Sequence, residues 1–177
     1  RGAAPLYDVL PDLLTLGKYL GGGLSFGAFG GRADLMARFD PSQPGALPHA
    51  GTFNNNVLSM AAGIAGLTQV LDDATLNAVN ARGDRLREDL NRVMSPHGWI
   101  ATGRASMIGV HPVAGPVGSP ADLTGADDRC RELLFLDLLE RGYYMAPRGF
   151  IALSVEVTDA DVTGFVGAVA DCLAERA

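Results

Sequence analysis

The chain has 177 residues, of which 47% are hydrophobic and 19% are charged, and its formal net charge is −6 at pH 7. This length fits one domain, or a small domain with part of another, and allows a substantial core. The acidic balance argues against a general nucleic-acid-binding surface, because phosphate recognition needs clustered Lys and Arg. The chain has no apolar run of the roughly 18 residues that would predict a membrane span.

The first residues show no pattern that predicts a targeting signal. They lack the basic-then-apolar pattern of a secretory signal and an initiator Met, so we expect a soluble, cytoplasmic protein whose sequence begins mid-chain. Cys130 and Cys172 match no metal-binding or redox spacing and are expected to be buried thiols. Three scattered histidines do not predict a metal site either; they are His49, His97 and His111.

The first third of the chain predicts loops and short elements. Residues 1–56 are rich in Gly and Pro and favour loops, short strands and one short helix near residues 33–39. Residues 57–71 are small and apolar, which predicts a well-buried helix. This part of the chain therefore resembles a piece of a larger domain.

The remaining two thirds show alternating helix and strand patterns. Helices are predicted at residues 74–94, 125–141 and from Thr158 onward. Strands are predicted at residues 99–102, 106–112, 143–146 and 150–155. Gly142 suits a left-handed helix end, and Thr158 followed by Asp161 suits a capped helix start. The alternation predicts a small α/β unit from about residue 73.

One glycine-rich stretch holds the only lysine of the chain. Residues 14–32 read LTLGKYLGGGLSFGAFGGR, with seven glycines and Lys18. A lysine attacks a carbonyl only as the neutral amine, and the apolar neighbours Leu14, Leu16 and Leu20 predict the burial that would favour this form. The order of residues does not match a phosphate-binding P-loop or a dinucleotide fingerprint. From the residues alone, a functional lysine and a surface lysine beside a flexible loop both stay open.

Several short motifs follow one another along the chain in the order found in a known family. The chain resembles the class III (fold type I) pyridoxal-phosphate aminotransferases, and the branch of glutamate-1-semialdehyde aminomutase is closest in style. The motifs are those at residues 11–18, 21–23, 27–32, 49–56, 147–150, 153–154 and 158–161. The resemblance implies an α/β fold, the C-terminal part of a fold type I transferase. Residues 1–72 would end the large cofactor-binding domain, and residues 73–177 would form the small C-terminal α/β domain.

The resemblance also implies site residues, a cofactor and a partner. Lys18 matches the lysine that binds pyridoxal 5′-phosphate covalently and then moves the substrate proton. Thr52 matches the threonine that reaches across a homodimer interface to the phosphate of the neighbouring cofactor; a hydroxyl and a backbone N–H on such a turn are suitable phosphate donors. The asparagines that follow Thr52 are expected to fix the turn and cap the next helix.

Residues 146–154 help to distinguish an aminotransferase from an aminomutase. Residues 146–154 place Arg148 where the aminomutase branch has a small polar residue, and the glutamate of that branch is absent. By itself Arg148 fits an exposed turn arginine; within the family its planar fork suits a substrate carboxylate. With Tyr19 and the TFNNN motif, this pattern resembles the β-amino acid aminotransferases, β-phenylalanine aminotransferase in particular. It implies ping-pong transfer of an amino group from a β- or α-amino acid to a 2-oxo acid.

Two alternatives stay open. The first is an isomerase similar to glutamate-1-semialdehyde 2,1-aminomutase. The second follows from length, because chains of this family are more than twice as long. The aspartate that pairs with the pyridine nitrogen is expected upstream of Arg1, so an inactive, truncated fragment that only dimerises is also consistent with the sequence.

Overall fold

The computed structural model describes residues 4–52 and 54–176, without the side chains of Pro5 and Tyr19. Phe53 and the side chain of Tyr19, which belong to the quoted motifs, thus lie outside the described residues. The chain divides into two compact units, Arg1–Asp72 and Asp73–Ala177. Their assignment to a large and a small domain stays a prediction. None of the helices in the described ranges is long and apolar enough to cross a membrane.

The first unit is built on a β-hairpin. Strands β1 (Leu13–Gly17) and β2 (Gly27–Gly31) pair antiparallel, with Leu13 opposite Gly31 and Gly17 opposite Gly27. A short helix α1 follows, with a 3-10 turn continuing it, as predicted for residues 33–39. The bounds of the remaining short elements are Ala4–Tyr7 and Lys18–Gly21 (3-10 turns), Ala33–Met36 (α1) and Ala37–Phe39 (3-10 turn).

Helix α2 (Val57–Ala65) closes the first unit and continues as a π-helical turn, Gly66–Val70. Asn56 caps it, since its side-chain oxygen accepts from the backbone N–H groups of Leu58 and Ser59 at 3.0 and 3.2 Å. The predicted asparagine cap is therefore confirmed for Asn56.

The predicted deep burial of residues 57–71 is wrong. Val57 and Leu58 are 77% and 70% exposed, and Gly21, Ser59 and Gly63 are the buried residues among those described in the first unit. The helix presents small residues to the turn after β1, while its larger apolar side chains Val57, Leu58 and Ile64 stay exposed. The apolar pattern identified the helix, but burial also requires a surface to pack against.

The second unit is a three-stranded antiparallel sheet with three long helices. The sheet order is β3-β4-β5, with Ile100 opposite His111 and Ile108 opposite Ile151. The elements are α3 (Asp73–Met94), β3 (Ile100–Arg104), β4 (Met107–His111), α4 (Asp128–Glu140), β5 (Phe150–Ala152) and α5 (Asp159–Ala174), with 3-10 turns at Ser95–His97 and Pro120–Leu123. The three predicted helices and the first two predicted strands are confirmed.

A single core fills the second unit. Ala101, Ile108 and Val110 are buried on one face of the sheet, and the alternate residues of β3 and β4 remain partly or fully exposed. This is the two-residue period of a sheet that is covered on one side. The helices supply the rest of the core, chiefly Leu86, Leu90, Met94, Leu134, Leu138, Val169 and Cys172.

The helix ends in this unit form as the sequence predicts. Thr158 caps α5, and its backbone N–H and hydroxyl donate to the Asp161 carboxylate at 2.8 and 2.7 Å, completing a capping box. These two hydrogen bonds lower the pKa of Asp161, and the bond from the Thr158 hydroxyl has the larger effect. Gly142, just after α4, has a φ of 84° and ends that helix as predicted.

The strand predicted at residues 143–146 is not formed, and β5 stops at Ala152 rather than reaching Val155. The Tyr143 N–H instead donates to the Leu138 carbonyl at 2.9 Å, which closes the end of α4. The Tyr143 ring packs edge-on against Phe165, with ring centroids 5.7 Å apart. Closure of the helix end and aromatic packing thus hold a segment that the sequence predicted to be a strand.

A side chain takes the place of a neighbouring strand at the edge of the sheet. The Asn91 amide donates to the Ala101 carbonyl at 2.9 Å, and the Ala101 N–H donates to the Asn91 Oδ1 at 2.8 Å. Asn91→Ala would leave both backbone groups of a buried residue without a partner. We expect it to lower the free energy of unfolding of this unit by about 1–3 kcal/mol, measured by urea titration. The exposed Asn77 lies in the same helix, so Asn77→Ala is the control and should change the free energy by less than about 0.5 kcal/mol.

Candidate active site

Lys18 stands at the junction of β1 and the 3-10 turn Lys18–Gly21. Its backbone has a φ of 57°, in the left-handed region that costs a non-glycine residue roughly 1–2 kcal/mol. Its side chain is exposed, and within the described ranges it has no hydrogen-bond or ion-pair partner. A strained backbone that carries a free amine is typical of a functional position.

Close packing against α2 holds the turn that carries Lys18. A Cβ atom at Gly63 would lie 2.7 Å from the Leu20 carbonyl oxygen, and one at Gly22 would lie 2.6 Å from the Ala62 carbonyl oxygen. Contacts this short leave no room for side chains, so glycine on both sides lets the helix and the turn approach each other. The glycine run after the lysine therefore shapes the loop that follows it.

The predicted apolar burial of Lys18 is wrong. Leu14 and Leu16 are 49% and 45% exposed, and the lysine side chain itself is exposed. In an antiparallel hairpin both faces stay open unless another layer covers them, and among the described residues of this unit no layer covers either face of β1. Desolvation by these leucines therefore does not operate in the structure.

Thr52 lies in the turn that leads into α2. The Asn54 N–H donates to the Gly51 carbonyl at 3.0 Å and closes the turn, with Thr52 exposed. Thr52 and Lys18 thus lie on two segments that the same helix connects: α2 begins just after the Thr52 turn and packs against the Lys18 turn. The structure leaves both side chains open to a ligand.

Arg148 lies in the second unit, at the tip of the turn before β5. The Gly149 N–H donates to the Ala146 carbonyl at 2.8 Å, and the Arg148 guanidinium carbon lies 5.2 Å from the centroid of the Phe150 ring. The side chain is exposed, as the simplest interpretation of the sequence predicts.

Charge pairing sets Arg148 apart from most arginines around it. The second unit contains ten arginines, and eight of them form ion pairs with Asp or Glu. Among the described residues, Arg104 and Arg148 have no carboxylate partner. Arg148 is therefore available to an external carboxylate without first breaking an internal ion pair.

Cys172 is buried and Cys130 is exposed, so the prediction of buried thiols is confirmed for the first and wrong for the second. Cys130 lies in the first turn of α4, where its side chain is exposed. Burial raises the pKa of the Cys172 thiol. No metal-binding group of three His, Cys, Asp or Glu side chains occurs in the ranges that the structure describes.

Sequence reasoning missed a polar cluster next to the Arg148 turn. The His111 Nε2 lies 2.9 Å from the Thr102 Oγ1, and the Arg131 Nη1 donates to the Arg148 carbonyl at 3.3 Å. The His111 Nδ1 and the Arg131 Nε are buried without a hydrogen-bond partner among the described residues. These residues come together from separate elements, and no local sequence signal marks them.

Comparison with known proteins decides the family. The family model of class-III aminotransferases matches residues 3–117, which include Lys18 and Thr52. The chain belongs to the class-III aminotransferases. Arg148 lies outside the matched range, so its role rests on the tail motif and on its geometry.

Within the class-III aminotransferases, this chain is similar to two curated relatives of different activity. It is 49% identical to a β-phenylalanine transaminase from Variovorax paradoxus, over 96% of the chain and 39% of the relative. It is 38% identical to a glutamate-1-semialdehyde 2,1-aminomutase from Desulforudis audaxviator, over 90% of the chain and 37% of the relative. The chain thus spans about two fifths of the length of the curated relatives it matches.

A solved structure confirms the predicted fold. The crystal structure of a β-phenylalanine aminotransferase from Variovorax paradoxus matches with a TM-score of 0.93 and 47% identity, over 98% of this chain and 40% of that one. The chain has the α/β fold of fold type I pyridoxal-phosphate transferases.

Proposed function

We propose that the protein is a pyridoxal-phosphate-dependent aminotransferase that moves an amino group from a β- or α-amino acid to a 2-oxo acid. The observation that carries this proposal is Lys18. It is the only lysine of the chain, it lies at the lysine position of the family motif, and it is exposed on a strained backbone without a partner among the described residues. Membership of the class-III family and 49% identity to a β-phenylalanine transaminase support it.

The donor chemistry of the described residues fits the cofactor. A primary amine can bind the aldehyde carbon covalently, and the Thr52 hydroxyl can donate to the phosphate. When bound, pyridoxal phosphate supplies an electron sink for the carbon that bears the amino group. We propose that Lys18 and Thr52 hold the cofactor, with Thr52 serving the neighbouring subunit of a homodimer.

Residues of this chain would then transfer the proton and bind the substrate carboxylate. The Lys18 Nζ, as a neutral amine, accepts the proton from the substrate carbon that bears the amino group. The Arg148 guanidinium can bind a substrate carboxylate through two parallel N–H groups. An amino acid and a 2-oxo acid both carry such a carboxylate, so one arginine serves both halves of a ping-pong reaction.

An aminomutase is the second candidate, supported by 38% identity to a glutamate-1-semialdehyde 2,1-aminomutase. Arg148 favours the aminotransferase, because the aminomutase branch carries a small polar residue at this position. The two reactions differ in net transfer: an aminotransferase needs a second, acceptor oxo acid, whereas an aminomutase returns the amino group to the same molecule. Product analysis with and without an added 2-oxo acid separates them.

Covalent trapping tests the proposal directly. The protein is incubated with pyridoxal phosphate and reduced with borohydride, and the labelled peptide is identified by mass spectrometry. Because Lys18 is the only lysine, its amine competes only with the chain's α-amino group. We expect about one label per chain on Lys18 and much less with pyridoxal, which lacks the phosphate. Label confined to the α-amino group, or equal labelling by both aldehydes, would favour the inactive dimerising fragment.

A further inference from the structure

Arg131 connects α4 to the turn that carries Arg148. It lies in the first turn of α4, and its side chain is only 17% exposed. Its Nη1 donates to the Arg148 carbonyl at 3.3 Å, and its Nη2 is paired with the Asp128 carboxylate. One guanidinium therefore joins the helix to the backbone of the residue proposed to bind substrate.

The turn is also packed tightly against Arg131 at Gly149. This glycine has a φ of 79°, and a Cβ atom on it would lie 2.6 Å from the Val110 carbonyl oxygen and 3.1 Å from the Arg131 Cδ. The Val110 N–H donates to the Gly149 carbonyl at 2.8 Å, which ties the end of the turn to β4. The sheet holds one side of the turn and the Arg131 side chain supports the other.

The neighbouring arginine shows that this arrangement is specific to Arg131. Arg129 lies two residues earlier in the same helix, is 86% exposed and pairs with the adjacent Asp127. Its guanidinium bonds only to Asp127, whereas one of the Arg131 bonds spans 17 residues to reach Arg148. The planar fork of arginine can hold a carbonyl and a carboxylate at once, and a lysine cannot reproduce this geometry.

His111 adds no positive charge beside Arg131. Burial first, and the charge of Arg131 second, lower the pKa of His111, so this imidazole is neutral at neutral pH. The Arg131 Nε is buried without a partner among the described residues, a costly state for a donor.

We infer that Arg131 is a positioning residue for Arg148: it supports the turn from α4 so that the Arg148 guanidinium stands over Phe150, free to bind a substrate carboxylate. The carboxylate part of this inference rests on the proposed function. The support of the turn stands on the contacts of Arg131 with Arg148 and Gly149 alone.

The test measures turn order and carboxylate binding separately. The amide order parameter of Gly149 and the shift of the Arg148 Nε–H on titration with 3-phenylpropanoate are followed by NMR in the 177-residue chain. We expect Arg131→Gln to lower the order parameter and to weaken 3-phenylpropanoate binding roughly tenfold, since loss of a supporting contact misplaces the binding group. Arg129→Gln is the matched control and should leave both unchanged. The neutral 3-phenylpropanamide should bind no better to the parent chain than to Arg148→Ala.

A double variant decides whether Arg131 acts through Arg148. If it does, Arg131→Gln combined with Arg148→Ala should bind 3-phenylpropanoate no more weakly than Arg148→Ala alone. Additive losses, or parent-like order at Gly149 in Arg131→Gln, would overturn the inference. Should Arg131→Gln not fold, Arg131→Lys keeps the charge but cannot hold the Arg148 carbonyl and the Asp128 carboxylate at once, and unchanged Gly149 order there would overturn the inference equally. Equal binding by the parent chain and Arg148→Ala would refute the carboxylate role of Arg148, independently of labelling at Lys18.

Discussion

Replacing Lys18 by arginine is expected to abolish covalent attachment of pyridoxal phosphate, together with the visible absorption that accompanies it. Arginine keeps the positive charge and the approximate length of the side chain, but its guanidinium stays protonated and does not form the covalent bond. Lys18 is exposed and has no partner among the described residues, so the variant should fold as the parent does. Absorption spectra and borohydride trapping of both proteins, at equal concentrations of pyridoxal phosphate, measure the effect.

A second variant separates the amine from the backbone strain. Lys18→Gly also lacks the amine, but glycine adopts a φ of 57° without strain. We expect Lys18→Gly to bind no cofactor covalently. We also expect the free energy of opening of β1 and β2, measured by amide hydrogen exchange, to be about 1 kcal/mol higher than in Lys18→Arg. Stoichiometric label in Lys18→Arg would show that another amine holds the cofactor, and the proposed role of Lys18 would be wrong.

The second unit could be predicted closely because its apolar patterns find their partners within the same 105 residues. Leu86 and Leu90 lie on one face of α3, and the core that they enter is complete inside the unit. Local signals at Gly142 and Thr158 then defined the helix ends, since a left-handed glycine and a capping box depend on only a few neighbouring residues.

In the first unit the same reasoning identified the elements but not their burial. Residues 57–71 are apolar enough for a core helix, yet Val57, Leu58 and Ile64 are exposed because no described layer of this unit covers them. The burial expected around Lys18 failed for the same reason. Hydrophobic periodicity reports which face a segment can bury; a partner surface decides whether it does so.

The polar contacts that support the candidate site were beyond sequence reasoning. Arg131 reaches Arg148 across 17 residues, and Asn91 reaches Ala101 around the end of a helix. Such pairs depend on how α4 and α3 sit against the sheet, which no short motif encodes. The family motif located Lys18, Thr52 and Arg148 by their order along the chain, but it gave no indication of what holds each of them in place.

Leu138→Ala is expected to have the largest effect on the stability of the second unit. Leu138 is 0% exposed, lies in α4 and belongs to the core cluster that also contains Leu90, Met94 and Cys172. Truncation removes buried methyl groups and leaves a cavity that the surrounding helices and sheet can fill only in part. We expect the free energy of unfolding to fall by about 2–5 kcal/mol. Trp99 is the only tryptophan, is 9% exposed and lies in the same core, so its fluorescence reports this transition in urea.

The same helix provides the matched control. Leu136 is 50% exposed, so Leu136→Ala removes the same atoms from a position outside the core and should cost less than about 1 kcal/mol. The difference between the two variants isolates burial from helix propensity, since both substitutions place alanine in the interior of α4. Equal urea midpoints for the two variants would mean that Leu138 does not occupy a closed core.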